Sequence, residues 1–266
     1  MNFIIGSTGF LSLELISKLP DYFTRESLLS FRKGDIANQL DYIEKNLDES
    51  IPNTLIIAGW PTALDYDDFK HIEFYEQTVH PFVISLYSRF PHLRLITLGS
   101  CLEYGFFNGG MSESDLCVPC TKLGAAKLMM FRLCSEIYST QYVHLRIFYP
   151  YSIESPRRNS FLSYLEDAVI QESASFDMSH GLQERDFFTT DYFCSCIQLL
   201  LADGNWPFRL ANIGTGKPTS VKDLAQEYLD SKNTNLKLNL GKLPIPWYEP
   251  FSFYSSSTPT ITDFFK

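Results

Sequence analysis

The segment Gly6-Ser7-Thr8-Gly9-Phe10-Leu11-Ser12 sets two glycines three residues apart between a short apolar run and an amphipathic one. Glycines at a strand-to-helix turn let backbone N–H groups and the helix N-terminus face an anion, and the pyrophosphate of a dinucleotide is the anion such a turn fits. Ser12 stands where the third glycine of a G-x-x-G-x-x-G spacing would fall, which loosens helix packing slightly and leaves the anion site in place. Arg32 and Lys33 follow at the end of the second apolar run. A carboxylate at that place suits the ribose 2′-hydroxyl of NAD and basic groups suit the 2′-phosphate of NADP, so NADP is favoured over NAD; Asp35 is the alternative reader of the ribose.

The six cysteines include Cys117-x-x-Cys120 and Cys194-x-Cys196, which raises a four-thiolate zinc site as a candidate. The pairs lie far apart and no second C-x-x-C exists, so isolated thiols packing as small apolar groups are the better reading and no metal is expected.

These residues need elements to hold them. Short strands are predicted over Phe3 to Ile5, Ser27 to Phe31, Thr54 to Ile57, Leu93 to Leu98 and Val143 to Phe148. Helical spacing separates them at Leu11 to Leu19, Asn38 to Leu47, Phe69 to Phe90 and Leu123 to Ser139. That alternation predicts an α/β fold of the Rossmann type, a doubly wound parallel sheet, over residues 1–150. Beyond Tyr149 the rhythm loosens into helices at Phe161 to Ile170, Asp191 to Leu201 and Ser220 to Leu229, the last capped by Ser220. Residues 151–266 are therefore expected to form mainly a smaller C-terminal α/β lobe that holds a substrate over the first domain, with some segments returning to the sheet. From Asn233 onward the chain is rich in Pro, Ser and aromatics, with little periodicity.

The 266 residues are 45% hydrophobic and 20% charged, a globular balance that excludes disordered and collagen-like architectures. Lys plus Arg number 22 against 31 Asp plus Glu, a net charge of −9, so neither nucleic acid nor an anionic membrane is an expected partner. No apolar run reaches the roughly 18 residues of a membrane helix, and Met1 to Phe10 lacks the make-up of a secretory leader, so the cytosol is the expected compartment.

Further motifs lie along the chain in order: Ala58-Gly59, Leu98-Gly99-Ser100-Cys101-Leu102-Glu103-Tyr104-Gly105, Pro119 to Lys127, Leu145 to Tyr151, Arg185-Asp186-Phe187 and Asn212-Ile213-Gly214-Thr215-Gly216. With the glycine turn, this set resembles the extended short-chain dehydrogenase/reductase family, in particular its nucleotide-sugar epimerases, dehydratases and reductases, over nearly the whole chain. The resemblance implies a dinucleotide held by Gly6, Ser7, Thr8, Gly9, Phe10, Leu11, Ala58, Gly59, Lys127 and Phe148, with Arg32 and Lys33 at the ribose. It also implies a strand-end hydroxyl, Ser100, that hydrogen-bonds the reacting sugar oxygen, and a substrate cleft with Ser100, Cys101, Tyr149 and Arg185, the arginine clamping a nucleotide diphosphate. Arg157 and Arg158 are weaker phosphate candidates and read as solvated charges. Family members commonly form dimers through paired helices, for which the apolar face of Leu128, Met129, Leu133 and Ile137 is available; the same stripe equally suits packing on its own sheet.

In the family a tyrosine precedes the lysine by four residues, so that one helical turn puts both on one face and the ammonium lowers the phenol's pKa. Here Leu123 occupies that place, and leucine cannot move a proton. A positioned general acid contributes about 10²- to 10⁴-fold in rate. Tyr104, Tyr149, Tyr151 and Cys101 are the candidates to replace it, with Tyr104 named beside Ser100 and Lys127 as catalytic; a reaction without such an acid, or binding without turnover, are the alternatives. The acidic pair of the family's dehydratases is replaced by Cys101 and Leu102, which disfavours dehydration. The expected activity is NAD(P)-dependent reduction of a nucleotide-linked 4-keto-sugar, ahead of epimerisation, with a non-catalytic dinucleotide-binding protein as the alternative.

Overall fold

Successive side chains of a buried parallel strand serve opposite faces of the sheet, and β1 (Asn2–Ile5) shows it: Phe3 and Ile5 pack into one apolar layer and Ile4 into the other, all three fully buried. In the computed structural model, which describes residues 1–266 apart from 32–34, 49, 62–63, 139, 246–249, 257–260 and 262–266, the chain continues through α1 (Phe10–Lys18), β2 (Leu28–Leu29), α2 (Ile36–Asn46), β3 (Thr54–Ile57), α3 (Lys70–Phe74), α4 (His80–Arg89), β4 (Arg94–Leu98), β5 (Gly109–Met111), α5 (Lys122–Ile137) and β6 (Tyr142–Ile147). It then forms β7 (Tyr149–Tyr151), α6 (Phe161–Ile170), β8 (Ser175–Asp177), β9 (Glu184–Arg185), β10 (Phe187–Thr189), α7 (Thr190–Asp203), β11 (Leu210–Ile213), β12 (Thr219–Ser220), α8 (Val221–Ser231), β13 (Lys237–Asn239) and β14 (Ser252–Ser255).

Six of these strands make one parallel sheet in the order β11-β6-β4-β3-β1-β2. The chain leaves β1 for β2 on one side and crosses back to β3 on the other, so the direction of winding reverses between β1 and β3; ligands of open α/β sheets bind at the carboxyl ends of strands at such a point. One layer packs α1 and α7 through Leu15, Phe193, Ile197 and Leu200 against Ile4, Ile56, Ile96 and Val143. The other packs α2, α4 and α5 through Leu40, Ile43, Phe82, Val83 and Met130 against Phe3, Ile5, Leu55, Ile57 and Leu95. Each such fully buried aliphatic side chain contributes roughly 1.5–3 kcal/mol. The architecture is the Rossmann-type α/β fold that the alternating pattern predicts.

Local signals explain the element ends. Thr121, Thr189 and Ser220 cap α5, α7 and α8 by accepting from the N–H groups of Gly124, Tyr192 and Asp223. The single helix expected over Phe69 to Phe90 is instead α3 and α4 joined by a π-helical turn, Tyr75–Val79, which ends one residue short of Pro81. Proline lacks the N–H of a regular turn and its ring crowds the carbonyl four residues back, and a wider turn relieves both. The second strand is also shorter than expected, because a 3₁₀ turn, Arg25–Ser27, takes up its start.

After Tyr149 the chain divides between both bodies. α7 and β11 return to the large sheet, whereas α6 and α8 pack on one another through Leu162, Leu165, Leu224 and Tyr228 in a separate apolar cluster. The weakly periodic tail supplies β13, paired with β8, and β14, which bridges β9 and β5. Of the helix face considered for dimerisation, Leu128 is buried and Met129, Leu133 and Ile137 are half-buried against the chain's own core. Among the described residues no helix is long and apolar enough to cross a membrane, and no His, Cys, Asp and Glu cluster could hold a metal ion.

Candidate active site

The glycine turn closes against the end of β3. Gly6 has φ +92°, and a Cβ there would lie 2.1 Å from Gly59 Cα, so only glycine lets the ends of β1 and β3 meet. The N–H groups of Gly6 and Ser7 are both taken by the Leu29 carbonyl at the end of β2. The N–H groups left for an anion include those of the first turn of α1, at Phe10, Leu11 and Ser12, which no intrahelical acceptor can reach. Ser12, read as a loosened glycine position, is 1% exposed, and its hydroxyl has no hydrogen-bond partner although it lines the same cavity. That cavity, of about 470 Å³, is lined by Gly6, Thr8, Gly9, Phe10, Leu11, Ser12, Ala58, Gly59, Ser100, Lys127 and Phe148. Of the expected dinucleotide contacts, Ser7 does not line it, and Arg32 and Lys33 lie outside the described residues.

A second cavity of about 950 Å³ lies under the C-terminal lobe and is lined by Ser100, Cys101, Leu102, Tyr149, Tyr151, Arg157, Phe161, Arg185 and Phe187, among others. Cys101, Tyr149 and Arg185 are thus together with Ser100 in it. Arg185 is buried over the Tyr149 ring, 5.6 Å from its centroid, and donates to the Glu184 carbonyl at 2.7 Å. Arg157, expected to be a solvated charge, lines both cavities; Arg158 lines neither.

Ser100 sits where they meet. It caps the 3₁₀ turn Cys101–Glu103 by accepting from the Leu102 N–H at 3.2 Å, while its own N–H donates to Glu103 Oε1 at 2.8 Å. Glu103 is fully buried and also accepts from Arg146 Nε at 3.0 Å and faces His144 Nε2 at 2.9 Å. Burial alone would raise its pKa, but His144, Arg146 and the Ser100 N–H together hold it below the usual carboxylate range. Gly124 lets α5 reach this turn, since a Cβ there would lie 2.3 Å from the Leu102 carbonyl oxygen.

Lys127 is buried, donates to the Leu98 carbonyl at 2.6 Å and lies 4.1 Å from the centre of the Trp60 ring. Burial drives its pKa down to about 7 against the attraction of Glu103. The Trp60 indole N–H donates to His71 Nδ1 at 3.2 Å, and His71 Nε2 is 3.0 Å from the Asp65 carbonyl, an arrangement that needs the neutral ring; burial lowers the His71 pKa accordingly. Sequence reasoning passed over Trp60, Tyr66 and His71, although all follow the end of β3, where the ligand loops of such sheets lie.

Tyr104 requires a correction. It is 0% exposed, lines neither cavity, donates to Asn212 Oδ1 at 2.8 Å and stacks under Arg146, so its phenol cannot meet a substrate. Burial pushes its pKa further up. Leu123 lines both cavities and brings no proton to their junction. Cys101 lines only the outer cavity, and burial pushes its thiol up to about 12.

A doubly wound parallel sheet with a glycine cradle at its reversal point and a lobe over its carboxyl edge defines a dinucleotide-binding α/β protein with a second, ligand-sized cleft. The chain matches the NAD dependent epimerase/dehydratase family over residues 5–214 and belongs to it. No curated protein matches the sequence significantly. Solved structures share the fold. UDP-glucose 4-epimerase with UDP-glucose from the hyperthermophilic eubacterium Thermotoga maritima is similar with TM-score 0.77 and 14% identity, covering 97% of this chain and 90% of that one. TunA, an NAD-dependent NDP-hexosamine 5,6-dehydratase involved in tunicamycin biosynthesis, is similar with TM-score 0.76 and 14% identity over 97% of this chain and 89% of its own. A dTDP-4-dehydrorhamnose reductase from Clostridium acetobutylicum is similar with TM-score 0.71 and 16% identity over 96% and 90%.

Proposed function

We propose that this protein is an NAD(P)-dependent reductase of a nucleotide-linked 4-keto-deoxysugar. The observation that carries the reading is Ser100, a hydroxyl at the junction of a glycine-cradled cavity and a larger cleft. The residues present fit a nicotinamide dinucleotide, because the glycine turn opens on a cavity of about 470 Å³ and the buried Ser12 hydroxyl is an unspent polar group at the N-terminus of α1. When bound in reduced form, it would supply the hydride that a carbonyl carbon gains. Ser100 donates to the carbonyl oxygen, Lys127 holds the ribose, and Arg157 and Arg185 face the diphosphate, the bidentate chemistry arginine suits. NADP is preferred over NAD in this reading because positions 32 and 33 are Arg and Lys. The likeness in fold to structures that hold UDP-glucose or reduce a dTDP-sugar supports the substrate class. Dehydration is disfavoured because Cys101 keeps its proton and Leu102 has none.

The test is oxidation of NADPH and NADH by the purified protein with UDP- and dTDP-linked 4-keto-6-deoxysugars. Oxidation on a nucleotide-linked keto-sugar and none on the free sugar is expected; binding without oxidation on any of them would sink the reductase reading. Gly6→Ala should abolish dinucleotide binding measured by fluorescence titration, since a methyl group meets the β3 end at 2.1 Å on a left-handed backbone. Affinity within about threefold of wild type would refute the cradle.

A further inference from the structure

On the reading just given, a proton must reach the carbonyl oxygen at the junction of the two cavities, and Leu123 does not bring it. We infer that the Tyr66 phenol is the proton donor, carried to the junction by a loop docked on the first turn of α5.

Among the described residues, seven line both cavities. Leu64, Leu123, Phe148 and Pro150 have no exchangeable side-chain proton. Arg157 does not release its proton in a protein, and Ser100 is an aliphatic hydroxyl that can pass a proton on but is no net acid. Tyr66 is the remaining one, half-buried and on the wall of both. The other acids stand elsewhere: Asp65, Tyr149, Tyr151, Tyr164 and Cys101 line the outer cavity alone, and His71 and Lys127 line the inner one alone, with both His71 ring nitrogens engaged and the Lys127 amine held on the Leu98 carbonyl.

The loop is fixed to the helix that carries Leu123. The Leu123 N–H donates to the Tyr66 carbonyl at 2.9 Å, and Lys122 meets Asp67 Oδ1 through its N–H at 3.3 Å and its ammonium at 3.1 Å. Docking through the backbone and Asp67 fixes this stretch of the loop on the first turn of α5, with Tyr66 on the wall of both cavities. A phenol lost from the helix is thus replaced by one held against the same turn.

The step is the proton half of a carbonyl reduction. The sugar C4 carbonyl carbon gains a hydride, one proton with two electrons, that the reduced dinucleotide would supply on being oxidised, and the C=O π pair passes to the oxygen. The O–H bond of Tyr66 breaks, an O–H bond forms on the sugar, and the phenolate takes a proton back from water entering the cleft.

The test compares wild type with Tyr66→Phe and with the double variant Tyr66→Phe/Leu123→Tyr. Y66F should lose about 100-fold or more in kcat. Its binding of NADPH and of nucleotide-sugar, read by tryptophan fluorescence, should stay within about twofold of wild type. Moving the phenol back to position 123 should recover part of the loss. Y66F with wild-type kcat would overturn the inference and leave the reductase reading standing; a wild type that binds dinucleotide but oxidises it on no keto-sugar would overturn both. A further readout compares pH profiles: the alkaline limb of kcat should differ between wild type and Y66F, and identical limbs in the two would contradict an acid of this kind.

Discussion

Glu103→Ala should lower the free energy of unfolding by about 3–5 kcal/mol, the range for removing one partner of a buried ion pair. Glu103 is fully buried, Arg146 is 2% exposed, and among the described residues no other carboxylate lies within ion-pair distance of the guanidinium. Deleting the carboxylate leaves that cation buried without its counter-charge, leaves His144 Nε2 without its partner and frees the Ser100 N–H. The cost is that of a broken pair and does not measure what the intact pair contributes, because taking both charges out of water is itself unfavourable. Glu103→Gln retains part of the hydrogen bonding and should fall between the two. Denaturant unfolding decides the matter, and a loss below about 1 kcal/mol would contradict it. The pH dependence has a definite sign. Because the folded-state pKa of Glu103 lies below the unfolded one, its stabilisation is complete above the ordinary glutamate range and fades as pH falls through the lower folded value. The acid limb of stability should therefore flatten in Glu103→Gln. The same change should slow turnover, since Ser100 is held at the junction through Glu103.

Lys127→Met should act in opposite directions on stability and on activity. A lysine whose pKa is driven from its ordinary value of about 10.4 to about 7 disfavours the folded state at neutral pH, with each pKa unit worth about 1.4 kcal/mol. Methionine removes that burden but leaves the Leu98 carbonyl without its donor, a loss of roughly 1–3 kcal/mol. A net gain of about 1–2 kcal/mol is expected at pH 7. Between about pH 7 and the ordinary lysine range the unfolded chain binds the proton and the folded one does not, so wild-type stability rises with pH and the advantage of the variant shrinks. On the proposed function, turnover should fall by about 100-fold or more, because the group that holds the ribose in place is lost. Unchanged kcat, or a variant less stable than wild type at neutral pH, would refute this account of Lys127.

Much of this architecture is legible in the chain because its signals are local. The glycine turn, the buried runs at Leu55 to Ile57 and Leu95 to Leu98, and the cap at Ser220 each depend on a few adjacent residues. What could not be read depends on contacts between distant residues. Tyr104 looks like a cleft residue from its neighbours, yet its partners Arg146 and Asn212 lie on β6 and β11, and these draw the ring inward. Tyr66 sits in a loop without periodicity and reaches the junction through a bond to Leu123, far along the chain. The strand β14 finds its pairing in β5 and β9, which no local pattern announces. Leu123 was visible at once as a missing phenol, but the donor proposed in its place comes only from the walls of two cavities.

The central claim is that reducing equivalents end on the sugar. NADPH deuterated at the transferable position of its nicotinamide, incubated with the wild-type protein and a nucleotide-linked 4-keto-6-deoxysugar, tests it by mass spectrometry of the product. The account predicts deuterium on the sugar in an amount equal to the oxidised dinucleotide formed. A sugar altered without label, or a dinucleotide that stays reduced in the presence of every keto-sugar, would contradict it.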